Sequence, residues 1–377
     1  MNKSISSDDI QVADAKLIRS VIQRVATGPE LSKNISYDEA RAMMHALLDQ
    51  SIDPVQAGVF LIGLRMKRET EDEVRGILDA LRDKTIQATA SVSDVVVISD
   101  PYNGFNRSLP GSLFVLPVLA ACGVSAYSHG VETVGPKFGV THHTTIKALG
   151  GNPVRSVEET SNQLSDPDIG WGYIDQSKFC PSLHSLNELR TLIVKRPVLT
   201  TTEVMIGPIT GTSGTHLVTG YVHKPYRDVY TTLARHIGYE SLLLVRGTEG
   251  GVIPSFAKPA HVVRYWHDEP SEELDHNLAE CALERSYRAA NIPDDVPEAD
   301  GKHIGMKWNL DALSRACADG GLAALGGEAG PLQDAAVLGT ALILLHLGRA
   351  KDMGEAANQA REAINSGEAL HRLKAGL

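Results

Sequence analysis

His129, Lys137 and Arg190 are the side chains whose types and placement suit the handling of an anion. His129 stands with Gly130 just after a short strand-like run, Ser125-Ala126-Tyr127. An imidazole there could donate to a phosphate or sugar oxygen; a histidine satisfied inside the fold suits the position equally well. Lys137, between Gly135 and Gly139, is a candidate anion contact, with an isolated surface lysine as the alternative. Arg190, in Leu186-Asn187-Glu188-Leu189-Arg190, is expected to point off an otherwise packed helix. Its guanidinium could hold a carboxylate or a base carbonyl by two parallel hydrogen bonds, unless a surface ion pair consumes it.

Other groups are weaker signals. Ser99, Asn103 and Gly104 belong to a loop, Ser99 to Ser108, that follows Val95-Val96-Val97-Ile98. This loop makes a poor phosphate cradle, because Pro101 has no N–H, Tyr102 blocks close approach and only Gly104 is a glycine. Lys224, Arg227 and Arg235 lie between Tyr221 and Ile237 and could form a basic helical stripe. Such a stripe suits the phosphate backbone of nucleic acid, or is simply a solvated face. His142 and His143 are not a metal signal, since adjacent residues do not share a helix face; both are expected to be solvated at a helix start. There is no GxSxG elbow, Walker loop, HExxH pair or dinucleotide fingerprint. No metal ligand set is read from the sequence.

Composition narrows the classes. The 377 residues are 42% hydrophobic and 22% charged, which suits a folded chain of about two domains rather than a disordered or fibrous one. Lys plus Arg number 36 and Asp plus Glu 46, a net charge of −10. The excess is local: from His267 to Asp300 there are 11 acids against Arg285 and Arg288, a local −9. A nucleic-acid binder using its whole surface is disfavoured, while a local basic patch is not. The four cysteines form no CxxC pair and are expected to be reduced thiols, Cys122 packing as a small apolar group. Apolar stretches are too short to cross a membrane; the longest candidate, Ala335 to Gly348, carries His346. Met1 to Ile10 is polar, with no signal-type apolar core, so a cytoplasmic protein without membrane partners is expected.

The elements that must position these residues begin with helices. Asp14 to Ala26 has apolar residues at helical spacing; Ser36 and Glu39 fit a capping box that opens a helix through about Gln50. Asp53-Pro54 opens a third helix, apolar on every side and therefore expected to be buried, and Glu69 to Lys84 makes a fourth. Near Ser93 the pattern changes. Val95 to Ile98, Ser125 to Tyr127, Pro197 to Thr202 and Leu242 to Val245 read as strands between helical stretches, which implies an α/β sheet. Pro331 to Leu377 is helical again, broken near Gly348 and Gly367. Ligands of open parallel sheets lie at the carboxyl ends of strands. That draws attention to three loops: Ser99 to Ser108, Ser128 to Gly139 and Arg246 to Ser255.

The order of these segments resembles the superfamily of anthranilate phosphoribosyltransferases and pyrimidine nucleoside phosphorylases, glycosyltransferase family 3. Ile35-Ser36-Tyr37-Asp38-Glu39-Ala40 and Gln56-Ala57-Gly58-Val59-Phe60-Leu61-Ile62-Gly63-Leu64-Arg65 are similar to its helical domain. Gly330-Pro331-Leu332-Gln333-Asp334 and Ala360-Arg361-Glu362-Ala363-Ile364-Asn365-Ser366-Gly367 resemble its C-terminal segments. The resemblance implies a helical domain over 1–90, with 175–197 packing on it. It implies an α/β domain over 91–377, with a mainly parallel central sheet flanked by helices. It also implies a homodimer formed through the helical domain.

Several ligand motifs of the family are replaced. Ser99-Asp100-Pro101-Tyr102-Asn103-Gly104 falls where the phosphoribosyltransferases carry Gly-Thr-Gly-Gly-Asp-Gly. Ser128-His129-Gly130-Val131-Glu132 falls on their Lys-His-Gly-Asn-Arg. The magnesium-holding acid pair falls near Val252 and Ile253, which cannot coordinate a hard cation, so magnesium is doubtful and no cofactor is expected. Arg190 takes the place of the acceptor-binding arginine. In this respect the chain resembles a divergent branch that includes nucleic-acid binders. The resemblance implies transfer of a pentosyl or phosphoribosyl group between phosphate or pyrophosphate and a nitrogen acceptor. Arg190 would hold the acceptor, and His129, Lys137 and loop N–H groups the phosphate. The alternative is a non-catalytic protein on the same fold, binding a nucleotide or nucleic acid.

Overall fold

A computed structural model of the chain describes residues 14–28, 30–301 and 304–377; the polar stretch Met1 to Ile10 lies outside them. The chain divides into two units. The first extends to Thr85 and takes up Cys180–Ile206; the second comprises Ile86–Phe179 and Gly207–Leu377.

The first unit is built on helices α1 (Ala15–Val25), α2 (Tyr37–Leu48), α3 (Pro54–Lys67) and α4 (Glu71–Asp83). Their starts follow from local chemistry. Asp14 accepts from the Leu17 N–H at 2.7 Å, and Ser36 with Glu39 and Thr70 with Glu73 close reciprocal capping boxes. Asp53 caps α3, with Pro54 in its first turn. α2 and α4 cross so closely that a Cβ on Gly76 would come 2.3 Å from the Tyr37 carbonyl oxygen. The α3 helix departs from the expectation of burial on every side. Val55 is 74% exposed, Val59 39% and Met66 69%, and their spacing puts them on one face. Pro197 to Thr202 is not a strand: Leu199–Thr202 forms a helical turn, followed by a short 3-10 turn, Glu203–Met205. Three threonines favour a strand locally, but the chain here serves to carry Glu203 inward, and that tertiary demand prevails.

The second unit holds nine strands among the described residues. They are β1 (Ala88–Thr89), β2 (Asp94–Ser99), β3 (Ala126–Gly130), β4 (Trp171–Asp175), β5 (Ile209–Thr210), β6 (Gly214–Gly220), β7 (Ser241–Val245), β8 (Ala260–Trp266) and β9 (Glu272–His276). β1 and β5 pair alone. The other seven form one sheet in the order β4-β3-β2-β6-β7-β8-β9, parallel from β4 to β7 and antiparallel beyond. Val95 to Ile98 are at most 1% exposed, as expected for a strand covered on both faces. The parallel registers pair Ser99 with Thr219, Gly130 with Asp175 and Gly220 with Val245. The carboxyl ends of five strands therefore share one edge, and the three loops singled out from the sequence leave from it. Helix α5 (Ser112–Ala121) is almost entirely apolar and buried against the sheet and the C-terminal helices. Among the described residues no helix is long and apolar enough to cross a membrane.

Candidate functional site

The carboxyl edge of the sheet is dense with polar side chains, but most satisfy one another. His129 is 3% exposed. Its Nε2 meets Ser99 Oγ at 2.9 Å and its Nδ1 meets the Tyr102 hydroxyl. Tyr102 and Phe179 also approach the ring edge-on. Burial, with His142 nearby, pushes the imidazole down from 6.5 to about 3, so it is neutral at physiological pH. Of the two readings of His129, the satisfied interior histidine describes its environment. Ser99 is fully buried, and its carbonyl accepts from Thr219 Oγ1 at 2.8 Å. Asn103 is buried and its carbonyl accepts from the Gly139 N–H at 2.9 Å.

Gly104 has a structural reason to be glycine. Its φ is +70° and a Cβ would meet the Gly139 carbonyl oxygen at 2.4 Å. The Asn103–Phe105 and Gly139–Val140 backbones run against each other there, with Phe105 and Val140 exchanging two hydrogen bonds of 2.9 Å. The glycine thus serves a close backbone crossing. Gly130 closes β3, where a Cβ would sit 3.3 Å from the Tyr173 hydroxyl.

Lys137 is not an isolated surface lysine. Its ammonium lies 2.5 Å from Glu249 and 5.4 Å from the centre of the Phe105 ring. Glu249 also accepts from the Arg107 N–H at 2.9 Å, the Asn106 N–H at 3.3 Å and Ser108 Oγ at 3.1 Å. Burial raises this carboxyl, but Lys137 and the two N–H donors outweigh it and hold it below its ordinary value. The sequence places Glu249 near the replaced acid pair but out of register with it, and nothing local shows that its turn reaches across to the loop after β2.

The histidine pair His142-His143, at the start of helix α6 (His142–Ala148), is buried rather than solvated. His142 bridges Ser128 Oγ at 2.8 Å and Ser112 Oγ at 2.9 Å, and lies 3.3 Å from Asp100. His143 Nδ1 meets Asp175 at 2.8 Å, at the end of β4. The strand ends draw polar partners inward to satisfy what would otherwise be orphaned.

Arg190 also turns inward. In the first unit its guanidinium binds Glu203 bidentately, at 2.6 and 2.7 Å, with side chains 1% and 0% exposed. Instead of projecting from the Asn187–Ile193 helix toward an acceptor, it carries a buried carboxylate of its own unit. The basic stripe is also largely engaged. Arg227 pairs with Asp228 at 3.0 Å and with Glu273 on β9. Arg235 donates to the His267 and Glu269 carbonyls and lies 3.9 Å from the Tyr265 ring centre. Lys224 alone of the three is exposed, and it caps the start of the Pro225–Ile237 helix. The acidic stretch supplies these partners, because edge strand β9 and the segment before it lie alongside the helix.

Three cations stand apart. Arg246, Lys258 and Arg288 line a cavity of about 570 Å³ beyond β7, beside Thr248 and Ser255. Among the described residues none of the three takes part in an ion pair. The nearest acid in the lining, Asp275, is bound to His261 at 2.9 Å. Sequence reading missed them because they are far apart in the chain and no motif joins them.

Comparison with known proteins bears on what this edge is for. The glycosyl transferase family helical bundle domain matches residues 19–85. The anthranilate phosphoribosyltransferase of Rhodopseudomonas palustris is 26% identical over 357 residues, covering 94% of this chain and 96% of the relative. That of Paramagnetospirillum magneticum is 27% identical over 366 residues, 95% of each chain. Over nearly its whole length the chain is similar to anthranilate phosphoribosyltransferases, and its N-terminal helices match the helical bundle of the glycosyl transferase family. Its fold is that of the crystallised anthranilate phosphoribosyltransferase from Thermus thermophilus, with a TM-score of 0.72 at 19% identity over 95% of this chain and 97% of that one. The Saccharomyces cerevisiae enzyme, crystallised with PRPP and Mg, gives 0.68 at 16% identity over 96% and 97%.

A divalent ion of the glycosyltransferase family 3 kind does not fit the residues at the corresponding turn. Val252 is 2% exposed, packs into the apolar core and donates its N–H to Asp100 at 3.0 Å; Ile253 packs against the same core. The other oxygen of Asp100 is taken by Ser112 and His142. No free carboxylate is left at this turn to replace a water around a hard cation.

Proposed function

We propose that this chain transfers a pentosyl or phosphoribosyl group between phosphate or pyrophosphate and a nitrogen acceptor, without the magnesium–diphosphate grip. The observation that carries this reading is the length of the likeness. Both units, over 94% of the chain, align with anthranilate phosphoribosyltransferases. Pentosyl transfer passes through an oxocarbenium-like centre, and the protein's work is to position reactants and stabilise the departing oxyanion. Arg246, Lys258 and Arg288 are cations still available for that task. Lys137 and Arg190 would have to exchange Glu249 and Glu203 for ligand oxygens. The test is turnover of phosphoribosyl diphosphate with aromatic amines and bases, and phosphorolysis of nucleosides, with and without magnesium. Absence of all turnover removes the reading.

One observation favours a second reading, a non-catalytic binder of a nucleotide-type small molecule: Lys137 and His129, expected to grip phosphate, and Arg190, expected to hold the acceptor, are already bound within the chain. Saturable binding of a nucleotide without turnover, lost in Arg246→Ala or Arg288→Ala, would favour it. Nucleic acid is the outcome to distinguish, and binding through Lys224 would fall steeply with salt. We further propose a homodimer, supported by the uncovered Val55, Val59 and Met66 face of α3, and a cytoplasmic location as expected from the sequence.

A further inference from the structure

Glu249 occupies an unusual position for a carboxylate. It sits between Gly247 and Gly250-Gly251 with φ +55°, a left-handed conformation that costs a residue with a side chain about a kcal/mol or more. The turn is locked by close packing: a Cβ on Gly220 would meet the Gly251 carbonyl oxygen at 2.1 Å. The strained backbone delivers the side chain into a cradle where it is only 6% exposed. The cradle has two consecutive backbone N–H groups, of Asn106 and Arg107, the Ser108 hydroxyl and the Lys137 ammonium.

Nothing in that donor set is particular to a glutamate. Consecutive N–H groups, a hydroxyl and a cation form a general receptor for an oxyanion. The cradle lies on the carboxyl edge of a parallel sheet, where ligands of such sheets bind. A carboxylate tethered by a three-residue turn reaches it at high effective concentration and excludes dilute competitors. We propose that the Asn106–Ser108 and Lys137 cradle is an oxyanion site that the chain closes with its own Glu249, and that a ligand's phosphate oxygens enter by displacing that carboxylate. Displacement would also release the turn carrying Thr248, whose neighbour Arg246 lines the 570 Å³ cavity. The site holds under either functional reading, and its test involves no turnover.

The full-length Glu249→Gly protein removes the carboxylate and suits the left-handed backbone. Melting is followed at constant ionic strength in chloride, acetate, phosphate or pyrophosphate, and phosphate binding is measured by calorimetry. E249G should melt below wild type in chloride. Acetate and phosphate should saturably restore the loss, because each refills the cradle. Phosphate should bind E249G at least about tenfold more tightly than wild type. Adding Lys137→Met should abolish both effects. If E249G does not fold, Glu249→Gln keeps the shape but weakens the latch, and should still bind phosphate more tightly than wild type. Equal phosphate affinity in wild type and the folded variant, or no response to either anion beyond chloride, would overturn the proposal.

Discussion

Removing Glu203 should cost this protein far more than removing an ordinary ion-pair partner. Arg190 and Glu203 are 1% and 0% exposed and bound through two hydrogen bonds of 2.6 and 2.7 Å. Arg190 Nε is already buried without a partner, so the guanidinium has no spare solvation. Glu203→Ala strands a cation in that interior and should cost roughly 3–5 kcal/mol, and Arg190→Met, which removes both hydrogen bonds from a buried carboxylate, should also destabilise by well over about 1 kcal/mol, the most an exposed pair is worth. The double variant Arg190→Met, Glu203→Leu removes both charges at similar volume and should lie near wild type or above it. The cycle therefore predicts a coupling energy of about 3 kcal/mol or more, against under about 1 kcal/mol for an exposed pair. Urea unfolding followed by far-UV circular dichroism measures this from the shift in midpoint at constant slope. Single variants that each cost under about 1 kcal/mol, or that simply add, would refute the buried-pair account and return Arg190 to the role of an available acceptor contact.

Acid should destabilise the protein through its buried imidazoles. Burial holds His129 and His346 near 3 instead of 6.5, so the unfolded chain takes up these protons first as the pH falls. Their contribution is complete above about pH 6.5 and disappears toward pH 3, at about 1.4 kcal/mol per pH unit for each histidine. Midpoints measured across that range should show the slope, and His129→Gln should be shallower; a flat profile would contradict it. Gly321→Ala places a methyl 1.7 Å from the Phe114 ring and should cost roughly 1–3 kcal/mol or more, read as a lower melting temperature. Val55→Asp with Met66→Asp should halve the mass seen by light scattering while leaving the far-UV spectrum intact; a wild type that is already monomeric would remove the dimer proposal. Charge reversal at Lys224 should leave any nucleotide binding at the Arg246–Arg288 cavity unchanged, as judged by calorimetry.

The sequence points to loops that do leave the carboxyl edge of the sheet, but not to the partners their side chains find there. Ser99, His129 and Lys137 do gather at the carboxyl edge of the sheet, because strand ends and glycine-rich turns leave a local trace. Their partners do not: Glu249 reaches Lys137 from 112 residues away in the chain, and Glu203 reaches Arg190 only because a threonine-rich segment folds as helix. Strand β6, Gly-Thr-His-Leu-Val-Thr-Gly, escaped notice because its polar residues are satisfied by neighbours such as Ser99 and Ser241 rather than by water.

By itself the sequence determined the helix starts at Asp14, Ser36 and Asp53, the buried strand Val95 to Ile98 and the superfamily likeness. Each of these rests on interactions within a few residues or on periodic burial. Only the tertiary structure decided which charges are free. An ammonium or guanidinium is committed or available according to the carboxylate that folding brings within about 3 Å, and no local pattern encodes that meeting.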